Sequence, residues 1–267
     1  MGEAMMELSA YLNRVQVPGK PAASVDTLLD LHQAHVFHIP FETLDVLNRV
    51  PITLDPQRFY DKIVFSKRGG FCYEVNGLLK TMLDQIGFQS WFIACQVYVP
   101  ASDSYGRNLG HVAIVTEINQ ELYLVDVGFG SGFIQPLRVI YDLPQFQFGT
   151  WYRLRRLDEE IIVLERSPDG QQYQPMYKLS LAPRAFSDFQ EMCLFHQTSP
   201  EAPFTRQPLC SRPTPEGRIT LTGTSLIITR KGERCEHPIT SDQDFNEKLA
   251  FYFGIELPSP LRLPSQV

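Results

Sequence analysis

The hydrophobic pattern of this chain changes period at Gly87, and that change limits the folds open to it. Before Gly87, apolar residues recur at helical spacing. Val75, Leu78, Leu79, Met82, Leu83 and Ile86 form one stripe over about 72–86, and Gly87 supplies the C-terminal stop. Beyond it, the runs Trp91–Val99, His111–Ile118, Glu121–Phe129, Tyr152–Arg156 and Ile161–Arg166 are rich in β-branched and aromatic residues, as strands are. A Pro-Asp-Gly turn stands at 168–170.

Two earlier helices are expected. In Met6–Val15 the residues Leu8, Tyr11, Leu12 and Val15 share a face. Ser24 caps a second helix carrying Leu28, Leu31 and His35, which ends before Pro40. After about 185 the pattern mixes. A Pro- and Ser/Thr-rich loop is expected over Thr198–Pro215, a hairpin over Arg218–Arg230 and a helix over Asp242–Tyr252. The expected units are therefore 1–87, 88–185 and 186–267, with no internal repeat.

Composition narrows the function. With 43% hydrophobic and 20% charged residues among 267, the chain buries a substantial core. Its longest apolar runs, Trp91–Cys95 and Leu249–Phe253, hold five residues each, against roughly 20 for a membrane span. No basic N-region leads into an apolar stretch, so no secretory leader is expected. A net charge of −6 argues against nucleic-acid and anionic-membrane partners. Five cysteines without a CxxC pair point to free thiols and a cytoplasmic location.

One thiol stands apart. In Arg68-Gly-Gly-Phe-Cys72-Tyr-Glu74, Gly69 and Gly70 permit backbone angles that other residues avoid, so a tight turn delivers Cys72 to a helix N-terminus. The unsatisfied N–H groups and positive dipole end there favour a thiolate and offer donors to an oxyanion. Cys95, Cys193, Cys210 and Cys235 lack such a setting and read as structural cysteines.

A cysteine nucleophile needs a base, and the base an orienting group. If Asn119-Gln120 forms a two-residue turn, the paired positions of the flanking strands sum to 239. Asp126 then lies opposite Ala113 and His111 opposite Gly128, which makes His111 and Asp126 diagonal neighbours on one face. Asp126 also interrupts the apolar run Leu122-Tyr-Leu-Val-Asp-Val, where an unpaired carboxylate on a buried face is costly. The bland reading, an exposed Asp126 and a satisfied strand-end His111, weakens once Cys72 joins them.

These residues resemble those of the arylamine N-acetyltransferases. The likeness rests on Arg68–Glu74, on His111 opening a strand, and on Asp126-Val-Gly-Phe-Gly130. It extends to Ala10–Val15, His32-Gln-Ala-His35 and Ile39–Asp45. It is specific over about residues 5–135 and diffuse beyond. The resemblance implies an α+β fold: a papain-like core with an N-terminal helical bundle, an antiparallel β-barrel and a C-terminal α/β lid. It implies a Cys72-His111-Asp126 triad, acetyl-CoA as acyl donor, no metal, and small aromatic amines or hydrazines as acceptors. It also implies that Phe129, with Gly130 and Phe41, lines the substrate pocket. Phe204, and the loop Arg107-Asn108-Leu109-Gly110, are assigned to the CoA side. Gly110 stands where the family commonly has Thr or Ser, which removes a hydroxyl from that loop.

Competing features carry less. His32, His35 and His38 are spaced like a metal cluster, but Pro40 takes His38 out of register and no acidic or thiol ligand matches. Glu74 is expected to serve the helix dipole or to pair with Arg68, and Arg68 to anchor the turn rather than bind phosphate. The rival functions are an amide synthase or other acyl-CoA acyltransferase of the same family, and a papain-like cysteine hydrolase. The sequence leaves the acceptor and the oligomeric state open.

Overall fold

The computed structural model describes residues 6–264. The first five residues, where a leader would begin, lie outside this description. The helices form where the periodicity places them. Leu8–Val15 buries Tyr11, Leu12 and Val15. Val25–His38 starts at Ser24, whose hydroxyl accepts from the Thr27 N–H. Cys72–Ile86 ends at Gly87 with φ of 100°, a left-handed stop that costs glycine nothing. These helices pack with Phe59, Tyr60 and Ile63 into one apolar core, which continues onto Ile114, Tyr123 and Val125 of the sheet behind them.

That sheet is antiparallel. Its strands are β2 (Gln89–Val99), β3 (Ser104–Tyr105), β4 (His111–Ile118), β5 (Glu121–Val125), β6 (Leu137–Arg138), β7 (Gln145–Gln147), β8 (Thr150–Arg156), β9 (Ile162–Ser167) and β10 (Gln174–Leu179). Their order is β6-β5-β4-β2-β10-β9-β8-β7, with β3 on β2, and they curl into a nearly closed barrel around Leu124, Leu154 and Leu164. β10 has no counterpart in the expected strands. Pro175 obscures it, and a bulge falls between Pro175 and Tyr177.

The β4–β5 hairpin has the expected register. Ile114 pairs with Val125 and Ile118 with Glu121, while Asn119 and Gln120 take φ of 53° and 66°, as a type I′ turn requires. The strand expected to reach Phe129 leaves the ladder after Val125. Asp126 turns the chain there, its carboxylate accepting the Gly128 N–H at 2.9 Å.

A second sheet runs β1 (Phe41–Glu42), β11 (Leu209–Thr214), β12 (Gly217–Thr222), β13 (Ser225–Arg230) and β14 (Glu233–Pro238) in that spatial order. The helices Gln190–Thr198 and Asp242–Phe253 accompany it in the chain, and the second packs on it. β11 lies inside the stretch expected to be loop. Its Pro213 misled the pattern, but β1 pairs only with Cys210 and Ser211, so on that side the ladder needs no N–H from position 213. The architecture is α+β: a helical bundle, a barrel-like sheet and a C-terminal sheet-and-helix layer. No helix among the described residues is long and apolar enough to cross a membrane.

Candidate active site

Cys72 is the first residue of its helix and is buried. Glycine is required just before it, for a different reason from the one expected. Neither Gly69 nor Gly70 has positive φ. A Cβ on Gly69 would stand 1.9 Å from the Pro40 carbonyl oxygen, and one on Gly70 would stand 2.7 Å from Glu74 Cβ. Space, not torsion, excludes larger residues. The Phe71 N–H donates to Glu74 Oε2 at 3.1 Å, which satisfies one orphan donor of the first turn.

Of the two roles expected for Glu74, it takes the place in the first helical turn and does not pair with Arg68. It accepts from Lys62 Nζ at 2.8 Å, while Arg68 Nη2 meets Glu42 at 2.7 Å and Asp45 at 2.8 Å. Lys62 sits on a π-helical turn, Asp61–Phe65, which brings it under the Cys72 helix. Arg68 thus anchors the turn through β1 and the short helix Leu44–Leu47.

On the other side of Cys72 lies the expected pair. His111 Nε2 donates to Asp126 Oδ2 at 2.7 Å, with both residues buried. Burial disfavours charge on the imidazole, yet the ionised Asp126, its hydrogen bond and the neighbouring Cys72 outweigh that penalty and raise His111 to about 10. Burial pushes Asp126 the other way too, but His111, Asn76 and the Gly128 N–H hold its carboxyl below the ordinary range. With Nε2 committed to Asp126, Nδ1 is the ring nitrogen left for the thiol. Gly128 closes the arrangement: a Cβ there would stand 2.7 Å from Cys72 Cα.

Two residues behind the pair escaped the sequence reading. Asn76 donates from Nδ2 to Asp126 Oδ1 at 3.0 Å and to the Val112 carbonyl at 2.8 Å, and accepts from the Val127 N–H at 3.0 Å. Its signal was available: it stands one turn after Cys72 and is the one amide among buried apolar neighbours. His32 accepts the Asp126 N–H on Nε2 at 3.2 Å and donates from Nδ1 to the Ile134 carbonyl at 2.8 Å. Burial lowers it to about 4, so it is neutral there. No sequence signal separates it from His35, which instead meets the Tyr11 hydroxyl. Among the described residues no group of His, Cys, Asp or Glu is arranged to hold a metal ion.

A cavity of about 600 Å³ opens over Cys72 and His111. Phe41, Phe129, Gly130, Phe204, Arg107 and Gly110 all border it, whereas Asn108 and Leu109 do not. Leu109 has its carbonyl tied to the Tyr73 hydroxyl at 2.8 Å, and Asn108 is exposed. The ring of Phe129 stands 5.5 Å from that of His111. Phe204 packs between Phe41 and His196, at 5.9 and 5.5 Å. Arg107 lies over Phe195 and pairs with Glu201 at 2.9 Å. His196, also missed, holds the Gly110 carbonyl at 2.9 Å.

The N-acetyltransferase family matches residues 24–262. An arylamine N-acetyltransferase of Gallus gallus, the pineal gland isozyme NAT-3, is 31% identical, with 94% of this chain and 95% of that protein covered. The chain belongs to the arylamine N-acetyltransferase family. The Homo sapiens arylamine N-acetyltransferase 1 is 30% identical over 94% of this chain and 95% of its own length. Among solved structures, the Mycobacterium marinum arylamine N-acetyltransferase in complex with CoA superposes with a TM-score of 0.85 at 29% identity, covering 93% of each chain. A Bacillus cereus arylamine N-acetyltransferase, described with a Cys-His-Glu catalytic triad, gives 0.86 at 25% identity, covering 94% of this chain and 98% of its own. In the present arylamine N-acetyltransferase family member, the carboxylate against the imidazole is an aspartate.

Proposed function

We propose that this chain moves an acetyl group from acetyl-CoA to an arylamine, arylhydrazine or N-hydroxyarylamine through an acetyl-Cys72 intermediate, in a ping-pong sequence. The observation that carries this reading is the meeting of three things in one largely apolar cavity: a cysteine at a helix start, a buried imidazole, and an aspartate bonded to that imidazole at 2.7 Å. Cys72 attacks the thioester carbonyl as a thiolate, with His111 as its imidazolium partner. N–H groups of the first helical turn receive the developing oxyanion. Collapse breaks the thioester bond, and His111 gives its proton to the departing CoA sulfur. The amine then attacks acetyl-Cys72, its proton passes to His111, and the Cys72 sulfur leaves. Asp126 keeps the imidazole oriented and stabilises its charged form whenever it holds the proton.

The cavity walls support the assignment of sides. Phe41, Phe129 and Gly130 form an apolar pocket for the acyl and aryl groups, which keeps water from the thioester. Arg107, Gly110 and Phe204 border the same cavity and are assigned to CoA. Asn108 and Leu109, which do not border it, act by holding that loop's shape. We place the enzyme in the cytoplasm, without metal, and divide it into units at 1–87, 88–185 and 186–267.

Incubation with acetyl-CoA followed by peptide mass spectrometry tests the reading. Acetyl is expected on Cys72, discharged faster by an arylamine or arylhydrazine than by water, and Cys72→Ala is expected to lose at least about 10⁴-fold in transfer. Wild-type rates in Cys72→Ala would sink the mechanism, and faster discharge by water would make the protein a hydrolase.

A further inference from the structure

The C-terminal sheet ends on an open edge. β14 is last in its spatial order, pairs among the described residues only with β13, and exposes all six of its residues. The hairpin decides which backbone groups face outward. Lys231 and Gly232 form a two-residue turn with φ of 51° and 86°, and just past the strand the Ile239 N–H donates inward to the Thr224 carbonyl at 2.8 Å. Hydrogen-bonded and free positions alternate along an antiparallel pair. Glu233, Cys235 and His237 therefore bond β13, whereas Arg234 and Glu236 turn their N–H and C=O groups away from it. Among the described residues those four outward groups have no partner. The next outward position is Pro238, which has no N–H to leave unpaired and whose carbonyl accepts from Lys248 Nζ at 3.3 Å.

Charges on an edge strand ordinarily repel a second strand. Here they select a register. A second copy of β14, antiparallel about a two-fold axis, must match outward positions with outward positions, so the paired numbers sum to 468, 470 or 472. A sum of 468 sets Arg234 against its own copy. A sum of 472 sets Glu236 against its own copy and puts Pro238, without an N–H, opposite Arg234. Only 470 brings opposite charges together: Arg234 faces Glu236 of the second copy, twice, and the four outward groups of each copy close backbone hydrogen bonds. Arg234 and Glu236 already meet within the strand at 2.7 Å, so the pairing completes a square of alternating charge. On the other face Glu233 meets His237 of the second copy, and Cys235 meets itself. We propose that β14 is a self-association surface on which a second copy of this chain pairs antiparallel in that register, joining two five-stranded sheets into one. The inference is independent of the transferase reading, since no residue of β14 borders the cavity over Cys72.

Sedimentation velocity of the reduced full-length protein, from about 5 to 500 μM, tests this. Wild type is expected to dimerise reversibly with a midpoint of roughly 10–100 μM, as a small interface does. Arg234→Glu and Glu236→Arg each bring like charges together at both crossings and are expected to weaken self-association at least about tenfold. Mixed, the two single variants are expected to pair with each other. The double variant Arg234→Glu/Glu236→Arg, which keeps the wild-type net charge, is expected to dimerise again. A second measurement needs no charge variant. Copper(II)-phenanthroline, as oxidant, is expected to join two wild-type chains through Cys235. Residues opposite in a non-hydrogen-bonded pair have Cα atoms about 4.5 Å apart, within the roughly 4.4–6.8 Å that a disulfide spans. Cys235→Ser should still dimerise by sedimentation but form no cross-link. A monomer throughout the concentration range would leave the edge to an occupant other than this chain and overturns the proposal. So does a dimer indifferent to both single charge reversals, or one whose cross-link maps to a different cysteine.

Discussion

Two buried polar clusters flank the first turn of the Cys72 helix, and they are alike in everything except what they hold. On one side His111 and Asp126 stand against Cys72. On the other, Glu42, Asp45, Lys62, Arg68 and Glu74 form a closed set of ion pairs. Each contains a group moved far from its ordinary titration. His111 is raised to about 10 and, by burial against the pull of Lys62, Glu74 is raised to about 7. A strongly shifted group in a buried setting is therefore no marker of chemistry by itself. What separates the clusters is contact. The first touches a nucleophile at the wall of a largely apolar cavity, whereas the second borders a separate cavity without a nucleophile and bonds the backbone at Leu44 and Phe71. One side is built to react and the other to hold Pro40, Gly69 and Gly70 in a packing with no room for a Cβ.

The sharpest way to break this comparison is to change the carboxylate on the reactive side. Asp126→Asn keeps the shape but removes the charge that holds the imidazolium, and it is expected to lower kcat/KM by about 10³- to 10⁴-fold. Its thermal midpoint should move far less than its activity. Steady-state rates alongside thermal denaturation check this. A variant that loses stability and activity in proportion would place Asp126 with the structural cluster instead.

The opposite cluster should answer in the opposite way. Arg68→Met leaves Glu42 and Asp45 short of a buried partner, and such breakage costs about 3–5 kcal/mol of stability. Urea unfolding should register that loss in the midpoint. Per folded molecule, acetylation of Cys72 should fall by less than about tenfold, since the triad contacts remain. A collapse of activity with unchanged stability would show that the clasp does chemistry.

The reactive side was far more legible in sequence than the structural one. Register arithmetic from a two-residue turn put Asp126 on the His111 side of the hairpin, although the ladder ends at Ile114 and Val125, so the expected pairs of Asp126 with Ala113 and of His111 with Gly128 do not form. Glycine spacing located Cys72 at the helix start, although the reason proved to be steric space. In the ion-pair cluster of Glu42, Asp45, Lys62, Arg68 and Glu74, Arg68 was legible as the anchor of the turn, but its partners were not, since no local pattern says which acid meets which base. Expecting Glu74 to pair with Arg68 followed the nearest opposite charge in sequence, whereas the π-helical turn supplied Lys62. The same limit hid His32, which is 94 positions from Asp126, and β11, whose proline suits a position that β1 does not reach.

The smallest expected effect concerns pH, where the two sides pull stability in opposite directions. His32, behind Asp126, has its value lowered by burial from 6.5 to about 4. Between those values the unfolded chain binds a proton that the folded one refuses, so stability rises with pH. His35, lowered well below its ordinary value by burial, adds to that slope. Glu74 is raised from 4.5 to about 7, so the folded chain keeps a proton that the unfolded one has lost, and stability falls as pH rises. Each group contributes at most about 1.4 kcal/mol per pH unit. His196 is lowered by burial as well, so three histidines against one glutamate leave a net rise between pH 4.5 and 6.5. Urea midpoints across that window should become steeper in Glu74→Gln and flatter in His32→Gln. An unchanged slope in Glu74→Gln would mean that its carboxyl is ionised throughout. The clasp would then hold three negative charges against two positive ones, and the balance that makes it structural would have to come from a cation outside the five residues.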